Sequence, residues 1–178
     1  TSALCPILTK FNDDEQKQAS IARIIKSRYC KNRTFRKRQL FVMMMNGPMM
    51  QQKEVFEKYF KIEFLSMVND RVSNVRIQVA KVLKHHFLKE ISGAFVYDPD
   101  MNDAVKLLKL DKNADVQYIV QEIETPVKDG GKVDMATFLK NLDDQKRAQH
   151  SDYSGSECES SYSEDEIRIE QEIRRHNS

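Results

Sequence analysis

Apolar residues recur at helical spacing in paired segments along most of the chain. EQKQASIARIIKSR, Glu15 to Arg28, places Ile21, Ile24 and Ile25, with the following Tyr29, on one helical face, and the preceding NDD supplies capping oxygens and first-turn acids. CKNRT interrupts the pattern. FRKRQLFVMMMN (35–46) resumes it as a largely apolar helix after a basic first turn, and Gly47-Pro48 ends it. QQKEVFEKYFKIEFLSMV (51–68) is apolar around its circumference, with Val55, Phe56, Tyr59, Phe60, Ile62, Phe64, Leu65 and Val68, so it reads as a helix packed on two sides. In SNVRIQVAKVLKHHFL, residues Val75, Val79, Val82, Leu83 and Phe87 form one stripe. After a YDPD loop, MNDAVKLLKL (101–110) and VQYIVQEI (116–123) flank the turn DKNAD.

These helix pairs repeat. A shift of 41 lays Asp111, Lys112, Val116, Tyr118 and Ile123 over Asp70, Arg71, Val75, Ile77 and Val82. In the other direction, a shift of 40 puts Phe35-Arg36 under Val75-Arg76 and Lys31 under Arg71. A period of about forty residues per helix pair is the signature of a HEAT- or armadillo-type solenoid. The expected architecture is therefore all-α, with about three antiparallel helix pairs over residues 1–124. A linker and short helix follow at 125–149, where Asp134 caps VDMATFLKNLDDQKRAQ and Phe138, Leu139 and Leu142 form its apolar face. Residues 150–178, acidic and serine-rich, are expected to be disordered, with a possible terminal helix in EDEIRIEQEIRRH behind a Ser163-x-x-Glu166 capping box.

Charge divides the chain in the same place. From Ser151 onward eight acids face three arginines, a net of −5; with the whole chain at +2, the rest carries +7. Arg23, Lys26, Arg28, Lys31, Arg33, Arg36, Lys37 and Arg38 form a run without one acid. Such a run suits a solvated surface, an acidic protein partner or nucleic acid; the chain's pI of about 8.3 and thin aromatic interleaving count against the last. The acidic tail is in turn expected to fold back on the basic run and compete with partners.

Candidate chemistry is sparse. Cys5, Cys30 and Cys158 lie far apart, without the spacing of a zinc site or a disulfide framework. His85 and His86 are adjacent, so on a helix they point about 100° apart and make a poor metal pair. The Met43–Met45 cluster with Met49 and Met50 reads as helical core rather than an adaptable binding surface. No catalytic motif or cofactor site is evident, so a non-enzyme without cofactors is expected. Ser154, Ser156, Ser161 and Ser163 each have an acid three residues on, the acceptor pattern of acidophilic kinases. No run approaches the ~18 apolar residues of a membrane span, and a cytoplasmic or nuclear protein is expected. The chain opens at Thr1 in mid-pattern, as a fragment or processed chain would.

The pattern D-x-V-x-x-V-R-x-x-V-A-x-x-L, carried by Asp70, Val72, Val75, Arg76, Val79, Ala80 and Leu83, resembles the turn and second helix of a HEAT repeat. With RKRQLFVMM (36–44) and AVKLLKLDKNADVQYI (104–119) in that order, residues 30–123 resemble the C-terminal HEAT repeats of the protein phosphatase 4 regulatory subunit 1 family, relatives of the scaffold A subunit of type 2A phosphatases. The resemblance implies a non-catalytic subunit that holds a serine/threonine phosphatase catalytic subunit and directs its substrate choice. It implies that Asp70, Arg76 and Asp111 belong to a structural ladder between repeats. It also implies that the turns, which carry Lys31, Arg71 and Lys112, face the partner; from the basic run, Arg36, Lys37 and Arg38 are further candidate partner contacts. In the third pass Gln117 replaces Arg76 and Asn113 replaces Val72, as suits a terminal repeat. Another HEAT-type adaptor, in transport or on chromatin, remains the alternative, with a nucleic-acid-binding solenoid behind it.

Overall fold

The computed structural model describes residues 14–46, 52–89, 98–123 and 134–151, and among them every regular element is helical. The elements are α1 (Glu15–Ile25), a π-helical turn (Lys26–Cys30), α2 (Phe35–Met44), α3 (Lys53–Tyr59), α4 (Lys61–Ser66), a 3-10 turn (Met67–Asn69), α5 (Ser73–Lys89), α6 (Pro99–Lys109), α7 (Ala114–Val120) and α8 (Met135–Ser151). The all-α class matches the sequence pattern. Gly47-Pro48, Met49, Met50, the linker at 124–133, and Ser154, Ser156, Ser161 and Ser163 lie outside the described residues.

The chain forms two compact units, one of residues 1–60 with 148–178 and one of residues 61–147. The boundary between them falls at Phe60–Lys61, and α8 as far as Arg147 belongs with α4–α7. The expected helix over 51–68 breaks at the same point. Phe60 leaves helical geometry at φ −128°, ψ −22°, while its side chain is fully buried and its N–H still reaches the Phe56 carbonyl at 2.9 Å.

In the first unit, Asp14 caps α1, accepting from the Lys17 N–H at 3.0 Å. Its backbone hydrogen bonding and Lys17 hold the Asp14 carboxyl below its ordinary range. The π-helical turn packs on both α1 and α2. The core is Ile21, Ile25, Phe41, Val42, Met45, Phe56 and Phe60, and the rings of Phe41 and Phe60 meet at 6.4 Å and 59°. Within the methionine cluster, Met44 and Met45 are buried and Met43 is exposed.

In the second unit, α5 and α7 make the most extensive packing, and α6 joins both. Phe64, Leu65, Val75, Val79, Leu83, Val105, Leu108, Val116 and Val120 fill the interior. Helix α6 begins two residues before the apolar pattern does, because Asp98 caps it through the N–H groups of Asp100 (3.0 Å) and Met101 (3.2 Å) and Pro99 opens its first turn. Helix α7 stops at Val120, short of Ile123, whose carbonyl accepts from Lys109 Nζ at 2.5 Å. Asp134 caps α8 as its sequence suggests, accepting from the Thr137 N–H at 2.9 Å and its hydroxyl at 2.6 Å, and Thr137 holds the Asp134 carboxyl below its ordinary range. Phe138 and Leu142 are buried, and Gln145 reaches Asp100 and Lys146 reaches Glu63.

Lys61 sits between Asp98 (2.7 Å) and Asp100 (2.9 Å) with little solvent access. Burial opposes its charge, but hydrogen bonds to the two carboxylates outweigh that and raise its pKa above the ordinary lysine value.

Candidate functional site

Three turns share one local hydrogen-bond geometry. Before α2, Asn32 Oδ1 accepts from the Thr34 N–H at 2.9 Å, and Arg38 Nη1 donates to the Asn32 carbonyl at 2.8 Å. Before α5, Asp70 Oδ1 accepts from the Val72 N–H at 2.9 Å, and Arg76 Nη1 donates to the Asp70 carbonyl at 2.7 Å. Before α7, Asp111 Oδ1 accepts from the Asn113 N–H at 2.8 Å, and Gln117 Nε2 donates to the Asp111 carbonyl at 2.6 Å. Each turn is an Asx turn whose leading carbonyl is held by a donor six residues on, one turn into the following helix. The short polar side chain closes the loop, and the long donor fastens it to the helix.

This geometry resets the alignment of the first helix pair on the second. The equivalences are Asn32, Asp70 and Asp111, with Arg38, Arg76 and Gln117, so the shift from the second turn to the first is 38, not 40. Arg36 is therefore not the counterpart of Arg76, and Lys31 is not the counterpart of Arg71. The residue after the Asx position is Arg33, Arg71 or Lys112, cationic and exposed in all three turns. Arg38, expected on the partner-facing surface, is 7% exposed and donates to the carbonyls of Asn32 and Arg33, the latter at 3.0 Å. It belongs to the frame of its turn. Lys31, Arg36 and Lys37 are exposed.

The second and third turns are also joined directly. Arg76 Nε donates to Asp111 Oδ2 at 2.6 Å and Nη2 to Asp111 Oδ1 at 2.9 Å, a two-pronged pair whose side chains are 6% and 7% exposed. With Nη1 on the Asp70 carbonyl, one guanidinium holds its own turn and the next, a use of its planar fork that lysine does not match. Burial pushes the Asp111 carboxyl up, but Arg76, the Asn113 N–H and nearby Lys112 together bring it below its ordinary range. The Asp111 hydrogen bond raises the Arg76 pKa against the opposing effect of burial.

Two apolar side chains flank the third turn in solvent: Leu110, 76% exposed, and Tyr118, 67% exposed. Periodicity had set Tyr118 opposite the half-buried Ile77, so its exposure was not legible from the pattern. His85 and His86 meet edge-on at 5.6 Å, with His86 buried, and among the described residues no group of three His, Cys, Asp or Glu side chains is placed to hold a metal ion. Cys30 is a buried free thiol. Among the described residues no helix is long and apolar enough to cross a membrane. Comparison with protein families, curated proteins and solved structures finds no match to this chain.

Proposed function

We propose that this chain is a non-catalytic regulatory or scaffold subunit whose helix pairs are HEAT-type repeats. On this reading it binds a serine/threonine phosphatase catalytic subunit of the phosphatase 4 type and directs its substrate choice. The observation that carries the reading is the recurring Asx turn with a cation at its tip. The resemblance of residues 30–123 supplies the class of partner, since in the related scaffolds the turns within repeats meet the catalytic subunit. Arg33, Arg71 and Lys112 are then the contacts that steer an acidic partner surface, and the Arg76–Asp111 pair is a rung between successive repeats.

Affinity purification of the chain from cells, read by mass spectrometry, tests the partner class. Co-purification of a phosphatase catalytic subunit supports the reading. Recovery of a transport or chromatin assembly without one turns it into the reading of another HEAT-type adaptor, which the same turns would serve. Exposed Lys31, Arg33, Arg36 and Lys37 favour nucleic acid as a second reading; a gel shift that weakens steeply with salt and disappears on neutralising Arg36 and Lys37 would establish it.

A further inference from the structure

Lys31, Arg33, Arg36 and Lys37 stand exposed within seven residues at the start of α2, and among the described residues no carboxylate pairs with any of them. Helix α2 also differs from α1, α6 and α7 at its N-terminus. Asp14, Asp98, Asn113 and Asp134 cap α1, α6, α7 and α8 with side-chain oxygens, and α1, α6 and α7 carry an acid in the first turn. Thr34 gives α2 no side-chain cap bond, and the first turn holds Arg36 and Lys37 with no acid. Positive charge at a helix N-terminus adds to the helix dipole, so this surface gains from a bound anion twice over.

The same chain carries matching charge. Residues 151–178 hold eight acids against three arginines, and Ser154, Ser156, Ser161 and Ser163 sit in S-x-x-E context. Each phosphate adds about −1.5 to −2 at neutral pH and three acceptor oxygens suited to arginine. The 27 residues after Ser151 give the segment a long reach, up to about 90 Å when extended.

We infer that the acidic segment 151–178 docks on Lys31, Arg33, Arg36 and Lys37, and that phosphorylation of its serines tightens this docking and withdraws the basic surface from partners. Arg38 takes no part, its guanidinium being held by the turn. The inference does not depend on the phosphatase reading, since it requires only the two charged segments of this chain. Tethering makes the encounter intramolecular, at an effective concentration of order millimolar for a short flexible link, so a weak contact suffices.

The chain brings its own attachment point. Cys158 lies in the acidic segment, Cys30 is buried, and Cys5→Ser leaves Cys158 for a nitroxide spin label. In the intact labelled chain, the account expects loss of amide NMR signal at residues 31–37, deeper after treatment with an acidophilic kinase. Signal should return in about 0.5 M salt, where the screening length is about 4 Å, and in R33E/R36E/K37E. Signal loss elsewhere, or loss that survives charge reversal, overturns the proposal. Loss equally strong between a spin-labelled chain and a separate isotope-labelled chain assigns the docking to a second copy and overturns it too. RNA binding that is unchanged by phosphorylation assigns the patch to nucleic acid and overturns the regulatory role.

Discussion

The turn at Asn32 in the first unit and the turns at Asp70 and Asp111 in the second have the same backbone design and opposite electrostatic settings. In the second unit Asp111 does two tasks: its Oδ1 closes the turn, and both its oxygens receive Arg76. Lys61, Lys84, Lys106 and Lys146 likewise end on carboxylates. In the first unit Asn32 closes its turn without charge, and four exposed cations around it have no carboxylate partner among the described residues. At Asp111 the acid receives Arg76 and joins two turns, while the tip cations Arg71 and Lys112 stay exposed as Arg33 does.

The largest effect should come from the buried pair. Arg76→Ala leaves the part-buried Asp111 carboxylate without its cation and should cost about 2–3 kcal/mol in urea denaturation. Arg38→Ala removes donors to two carbonyls and should cost about 1–2 kcal/mol. Equal losses would break the contrast between the two turns. Next comes pH. Asp111 has a lowered carboxyl pKa in the folded protein, so its stabilisation is complete above the ordinary value of about 3.9 and is lost as pH falls through the lower folded value. Acid titration followed by NMR should move the Asn113 amide, whose acceptor titrates, and leave the Thr34 amide unmoved, because Asn32 does not titrate. The smallest effect is expected for Asn32→Asp, which restores the acid of the other turns at a partly exposed site. It should shift stability by no more than about 0.5 kcal/mol while weakening whatever anion the neighbouring cations bind.

Helix positions were legible because long apolar stripes leave few alternatives: Ile21, Ile25, Val75, Val79, Leu83, Phe138 and Leu142 all went where periodicity put them. The cap of α8 was legible from Asp134, and that of α6 was equally available in Asp98-Pro99. The first register was missed because FRKR offers three basic residues in a row, and apolar matching does not distinguish Arg36 from Arg38. The constant spacing of six, Asn32 to Arg38, Asp70 to Arg76 and Asp111 to Gln117, does distinguish them, since only a donor one turn into the helix reaches back to the carbonyl that opens the turn. The break at Phe60 was not legible, because both halves of 51–68 are apolar and nothing local marks which residue yields. The two-pronged geometry of Arg76 on Asp111 was not legible in the sequence.

The most direct test of the functional account compares two charge reversals in the intact chain, each checked by circular dichroism for unchanged helix content. One reverses the turn tips Arg71 and Lys112 with Arg33, and the other reverses Lys31, Arg36 and Lys37. The quantity measured is the amount of an identified serine/threonine phosphatase catalytic subunit captured from cell extract. The account predicts that reversing the turn tips abolishes capture, whereas reversing the second set leaves most of it. Capture by the turn-tip variant equal to that of the unaltered chain would contradict it.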